Sequence, residues 1–400
     1  MNTDLDILQP YPFQKLAELK ASVQANDTLE HIALSIGEPK HEPPAFALSA
    51  LCNNVDKLAQ YPATIGLLEL RQAISEWASK RFALPTGTLT AQQHVIPVNG
   101  TREALFAFTQ AVINRQDNPV VITPNPFYQI YEGASLLAGA EIHYVNCTQE
   151  NHYLPDFDSV SAATWQRCQL LFLCSPGNPT GAVIDSDTFK KLIALADQYD
   201  FVIASDECYS ELYFDEQQPP TGLLGVCAQI GRDNYERCVV FHSLSKRSNL
   251  PGLRSGFVAG DASILKRFLL YRTYHGCALS IPSQLASMAA WQDEQHVVDN
   301  RKQYREKFAA VTDILSPYWD VPQPKASFYL WGKTPIDDEL FAQRLFAEQH
   351  ITVLPGSYLG RDSNGINPGA QHVRMALVAP TAQCIEAAHR IVHFIKALSC

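Results

Sequence analysis

The chain has 400 residues, 46% of them hydrophobic, 10% aromatic and 18% charged, enough apolar side chain to offset the entropy of ordering and to exclude disorder. That length fits two or three domains, or one large α/β unit with a satellite. With 31 Lys+Arg against 41 Asp+Glu the formal charge is −10, and no basic run gathers into a patch, so nucleic acid and anionic membrane surfaces are poor partners.

In chain order, the spacing from Phe13 to Leu19 predicts a short helix. Ile32 to Ile36 reads as a strand that ends at Gly37-Glu38-Pro39, and Pro43-Pro44 closes the segment. A helix is predicted over Leu67 to Phe82, with Leu70, Ile74 and Trp77 on one buried face. From residue 94 onward six short apolar runs alternate with helical stretches: Val95 to Val98, Val120 to Thr123, Ile142 to Val145, Leu170 to Cys174, Phe201 to Ser205 and Val239 to His242. Such alternation implies a mostly parallel sheet. Its clearest unit is a βαβ crossover from Leu170 through Phe189, Leu192, Ile193 and Ala196 to Phe201. Beyond about residue 285 come a long polar helix, strands near Phe328 to Trp331 and Val373 to Val378, and a final amphipathic helix, a pattern of a smaller α/β domain. Pro322 to Lys325 and Asn364 to Gly369 read as turns within it.

The ten cysteines, Cys400 the last of them, show neither a CxxC pair nor zinc-site spacing. Several sit in apolar runs, as reduced thiols do, which favours a reducing compartment. The N-terminus, with Asp4 and Asp6, lacks the basic start and apolar core of a signal peptide, and no apolar stretch nears membrane-spanning length. The expectation is a soluble, cytoplasmic protein with no metal centre.

In an open parallel sheet the ligand crevice lies beyond the carboxyl ends of the strands. After Val98 stand Gly100, Thr101 and Arg102 at a helix start, an anion site or an ordinary cap. After Cys174 a Pro- and Gly-rich turn fixes Asn178, or merely punctuates a loop. After Ala204 come Asp206 and Tyr209; the acid is either exposed or in need of a cationic partner. After Phe241 come Ser243, Ser245 and Lys246, with Arg254 eight residues further on, a set able to hold a phosphate and to keep the lysine partly neutral. Arg374 shares its strand face with Ala376 and Val378, so it grips a carboxylate or pairs with a structural acid. A phosphate cup, an acid, a phenol, an amide, a reactive lysine and a carboxylate-binding arginine together match pyridoxal phosphate.

In the order and spacing of these motifs the chain resembles the fold type I pyridoxal phosphate enzymes, specifically the class I/II aminotransferases, over nearly its whole length. The resemblance implies an α/β fold: a large cofactor domain over 44–285, with a mostly parallel seven-stranded sheet between helices, and a small domain from 1–43 and 286–400. It makes Lys246 the Schiff-base lysine, Asp206 the partner of the pyridine nitrogen, and Tyr209 and Asn178 the partners of the ring hydroxyl. Gly100, Thr101, Arg102, Ser243, Ser245 and Arg254 correspond to the phosphate cup and Tyr128 to the aromatic stacked on the ring. Tyr61 corresponds to the tyrosine that reaches the neighbouring subunit's phosphate, which implies a homodimer, and Arg374 with the Gly37 backbone to the grip on the substrate α-carboxylate.

Within the family, the segments Leu8 to Phe13, Ser35 to His41, Ser245 to Phe257 and Tyr271 to Gly276 are most similar to proteobacterial N-succinyldiaminopimelate aminotransferases of lysine biosynthesis. That likeness implies glutamate and 2-oxoglutarate as one substrate pair, and Arg272, Tyr274, Lys40 and Arg247 as candidates for the distal anion of the other. One departure is Ser327, in Lys325 to Tyr329, where many relatives have glycine; its expected effect is on loop shape near the substrate, away from any catalytic position. Aspartate- or kynurenine-type transfer and carbon–sulfur β-elimination are the alternative reactions, and a silent binding module is the reading from another class.

Overall fold

The computed structural model describes residues 1–398, so Cys400 lies outside the described residues. The strand expected over 32–36 is only β1 (Ile32–Ala33). Leu34 N–H still bonds the Thr352 carbonyl, but beyond it the chain's carbonyls turn to side chains, Ser35 O to Arg374 and Gly37 O to Lys246.

All six apolar runs become strands: β2 (Val95–Val98), β3 (Val120–Asn125), β4 (Glu141–Asn146), β5 (Cys168–Cys174), β6 (Val202–Asp206) and β7 (Cys238–Ser243). The central β3, β5, β6 and β7 are apolar without alternation because strands with parallel neighbours are covered on both faces. A seventh, β8 (Gly256–Gly260), completes a sheet of order β2-β8-β7-β6-β5-β3-β4. It pairs antiparallel with β2 and β7, whereas the other neighbours are parallel. Glycine at both of its ends hid it among the apolar runs, and both glycines answer to close packing: a Cβ at Gly256 or Gly260 would collide with the carbonyl of His242 or Cys238 on β7. The crossover from β5 to β6 is the helix Ser186–Tyr199, burying Phe189, Leu192, Ile193 and Ala196, and the helix Leu68–Arg81 buries Leu70, Ile74 and Trp77 as its spacing predicts.

The C-terminal part holds β9 (Tyr329–Lys333), β10 (Ile351–Thr352), β11 (Leu354–Pro355) and β12 (His372–Ala376). β11, β12 and β9 form an antiparallel sheet, while β10 pairs parallel with β1 and so ties the N-terminal segment to this part. The helices Gln295–Leu315, Asp338–Gln349 and Thr381–Leu398 close a second core containing Phe308, Phe328, Phe341, Met375 and Ile391. The helix Asp338–Gln349 is an addition to the sequence reading; its only buried apolar residues are Phe341, Ala342 and Leu345, a narrow stripe. No helix among the described residues is long and apolar enough to cross a membrane, and the nine described cysteines are all unpaired.

Candidate active site

A cavity of about 880 Å³ opens at the carboxyl edge of the parallel strands, where side chains following β2, β5, β6 and β7 converge. Because β8 runs the other way, Arg254 reaches the same edge from just ahead of its strand. Every residue expected to hold the cofactor or the α-carboxylate lines this cavity except two. Gly100 sits behind Arg254, and Tyr61 points outward, fully exposed.

Asp206 ends β6 with its carboxylate buried, accepting from Tyr131 Oη at 2.8 Å and from the Cys208 N–H at 3.2 Å. Burial raises its pKa against those bonds, and among the described residues no lysine or arginine pairs with it. Lys246 lies in the single helical turn Leu244–Arg247 after β7. Its Nζ donates to the Gly37 carbonyl and stands 5.2 Å over the Phe328 ring. Burial brings this amine down to about 8, with Arg374 and Arg254 adding to the fall against Cys208 and Glu38.

Gly100 has φ +84°, and the helix Thr101–Val112 that follows starts without a side-chain cap, leaving its first N–H groups free for an anion. A Cβ at Gly100 would collide with the Arg254 guanidinium, so the glycine is what lets that cation approach. Ser243 Oγ accepts from the Ser245 N–H at 3.1 Å, and Arg102 Nε donates to Tyr128 Oη at 2.6 Å, bracing the ring. Tyr209 Oη meets Tyr329 Oη at 3.1 Å; burial and Tyr329 both push the Tyr209 phenol up.

Among the described residues no structural acid pairs with Arg374. Its Nη1 donates to Asn178 Oδ1 at 2.9 Å and its Nη2 to Ser35 O at 2.8 Å, above the Tyr329 ring at 4.3 Å, and its buried Nε has no partner. Neutral acceptors leave the charge uncompensated, which suits an incoming carboxylate.

Tyr131, Cys208 and Tyr329 belong to the same site without having been singled out. Tyr131 lies three residues after Tyr128, and only the fold shows that it reaches a strand 75 residues away. Ser327 itself bonds away from the cavity, to Leu212 O at 2.7 Å. The two residues after it do meet the site, Phe328 against Lys246 and Tyr329 against Tyr209 and Arg374. The candidates for distal-anion recognition fare differently. Arg247 is buried between Trp77 and Trp291 and bonded to Glu294 and Ala290 O, and Arg272 is buried in an ion pair with Glu103. Neither lines the cavity, nor do the exposed Lys40 and Tyr274.

The donor set fits pyridoxal phosphate. An uncapped helix N-terminus beside Arg254 suits its phosphate, a buried acid with no cation paired to it among the described residues suits a protonated ring nitrogen, and an amine held near neutrality suits its aldehyde. Comparison with known proteins agrees. An aminotransferase from Neisseria meningitidis Z2491 is 52% identical and superposes with a TM-score of 0.94, covering 98% of this chain and 100% of that one. The LL-diaminopimelate aminotransferase of Maridesulfovibrio salexigens is 32% identical over 393 residues, 97% of each chain. A structure described as a probable N-succinyldiaminopimelate aminotransferase from Thermus thermophilus is 25% identical with a TM-score of 0.83, over 96% of this chain and 99% of that one. The family model of class I and II aminotransferases matches residues 30–391, and the chain belongs to that family of pyridoxal-phosphate-dependent enzymes.

Proposed function

We propose that this aminotransferase moves an amino group between glutamate and a keto acid of the diaminopimelate type, with the N-succinylated compound the first to be tested. The observation that carries the reading is the meeting, in one cavity, of a lysine amine near neutrality with an arginine whose partners among the described residues are neutral. The names of the Maridesulfovibrio and Thermus relatives support the substrate class.

When bound, the cofactor supplies an aldehyde that captures the substrate amine and a ring that accepts the electrons released at Cα. The chain's residues do the rest. Lys246 holds the cofactor and then carries a proton to and from Cα, a task for which an amine near 8 is matched. Asp206 keeps the ring nitrogen protonated through its own charge, and Tyr131 and the Cys208 N–H hold that charge in place. Tyr209 and Asn178 donate to the ring oxygen. The Thr101 and Arg102 N–H groups, with Ser243, Ser245 and Arg254, hold the phosphate; Gly100, whose own N–H donates to the Val98 carbonyl, serves that cup by making room for Arg254, and Tyr128 covers the ring. Arg374 and the Gly37 backbone grip the α-carboxylate common to both substrates. Tyr61 completes the phosphate site of a second copy, so the working unit is a homodimer. In this reading residues 44–285 form the cofactor-holding unit, and the rest, joined through β1 and β10, the part that closes on the substrate.

The test is the visible spectrum of the purified protein loaded with cofactor. The expected band bleaches on glutamate, returns with 2-oxoglutarate, and is absent in Lys246→Ala. Turnover of N-succinyl-diaminopimelate against free LL-diaminopimelate then selects the second substrate. A band indifferent to glutamate, with pyruvate released from cysteine derivatives, sinks the transaminase reading in favour of elimination.

A further inference from the structure

The strip Ser35–His41 crosses the cavity wall. Its carbonyls at Ser35 and Gly37 accept from Arg374 and Lys246, so its position sets where both site cations point. One end is held by the backbone, Leu34 bonding Thr352 O and accepting from the Ala376 N–H. At the other end stands His41, against the helix Gln295–Leu315. Its Nδ1 lies 2.8 Å from Asn300 Oδ1, its Nε2 lies 2.9 Å from Lys307 Nζ, and its ring packs 4.5 Å from that of Tyr304. Asn300 also accepts from Asn249 Nδ2 at 3.1 Å and donates to the backbone carbonyl of Lys246 at 3.5 Å. A closed circuit results: Lys246 bonds the strip at Gly37 through its side chain, and through Asn300 and His41 from its own backbone.

Lys307 is fully buried and no carboxylate pairs with it among the described residues; burial brings its amine down to about 8, opposed by Cys384. As an ammonium it has donors and no acceptor, so His41 must present its Nε2 lone pair and carry its proton on Nδ1, toward Asn300. Only neutral imidazole does both. Burial lowers the His41 pKa, Asn300 opposes the shift and Lys307 adds to it. The groups facing His41 are Asn300, Tyr304 and Lys307 of one helix, with Asn249 behind Asn300 and Cys384 of the last helix facing Lys307; its chain neighbours Lys40 and Glu42 are exposed. No carboxylate pairs with the imidazole among the described residues.

We infer that His41 is a positioning residue: as a neutral bridge from Lys307 to Asn300 it clamps the Ser35–His41 strip across the two site cations, and its protonation opens the clamp. The inference rests on the proposed roles of Lys246 and Arg374. Because the folded pKa lies below the unfolded one, the clamp is intact above the ordinary imidazole range and is lost as pH falls through the lowered value.

Two measurements test it, in the wild type, His41→Phe and Lys307→Met. The first is hydrogen exchange of segment 35–41 in cofactor-free protein over a range of pH. The wild type is expected to lose protection on the acid side after correction for intrinsic exchange, and His41→Phe to lack that protection at every pH. The second is the pH profile of the glutamate half-reaction. His41→Phe is expected to slow it about tenfold, the scale of one positioned hydrogen bond, and to flatten the acid limb. Lys307→Met is expected to move that limb to higher pH, since no ammonium then opposes the imidazolium. A wild-type limb surviving in His41→Phe, or an unmoved limb in Lys307→Met, overturns the inference. Should His41→Phe fail to fold, the Lys307→Met shift decides. Wild-type protein inert to glutamate would refute the proposed function instead, leaving hydrogen exchange to judge the clamp.

Discussion

At Asp206 a carboxylate is buried with no cation paired to it among the described residues; two donors reach it, and of these Tyr131 is the one a mutation removes cleanly. A hydrogen bond to a charged group contributes on the order of 1.5–3 kcal/mol, so Tyr131→Phe should raise the Asp206 pKa further and weaken cofactor binding at least about tenfold. Titrating cofactor-free protein in the visible range checks this; an unchanged dissociation constant would remove Tyr131 from the site. Asp206, Asn178, Lys246 and Arg374 were legible because each is a polar residue just past, or within, an apolar run, where burial without a partner is costly. Tyr131 carried no such mark, since its partner is fixed by tertiary contact. Arg247 and Arg272 show the converse. Both are cations in segments that resemble the family, yet the fold spends them on Glu294 and Glu103, inside its own packing.

Among the elements, the turn into β9 carries the clearest strain. Ser327 has φ +91°, is fully buried, and leaves its Oγ without a partner; a non-glycine residue in this region costs on the order of 1–3 kcal/mol. Ser327→Gly should therefore stabilise the protein by about 1 kcal/mol, net of the entropy glycine loses on folding. Ser327→Ala, which relieves the hydroxyl but not the backbone, should gain less. Thermal unfolding of cofactor-free protein separates the two; equal gains would mean that the hydroxyl, not φ, is the source. The element that escaped sequence reading, β8, did so for a related reason. Its glycines are set by contact with β7, a constraint that local apolar periodicity does not register.

For the whole molecule, apolar side chains stand exposed along 45–61, with Leu48, Val55 and Leu58 beside the outward Tyr61, and again at Leu270 and Tyr274. Covering a side chain such as Val or Leu contributes about 1.5–3 kcal/mol, so a second copy is the occupant that the proposed role of Tyr61 requires. Sedimentation should show a dimer that Leu58→Glu weakens, whereas Tyr61→Phe should lower cofactor affinity and leave the dimer intact. A monomeric wild type that binds cofactor normally would end the shared-site reading. The sequence by itself determined the layered α/β architecture and most of the cavity's chemistry, because parallel strands must be apolar and their ends must carry whatever polar groups the ligand needs. Only the tertiary structure decided which cations face the cavity and which are neutralised inside the fold, where Ser327 aims Phe328 and Tyr329, and how His41 and Asn300 close a circuit around Lys246. Each of those depends on contacts between residues far apart in the chain, and local spacing holds no record of them.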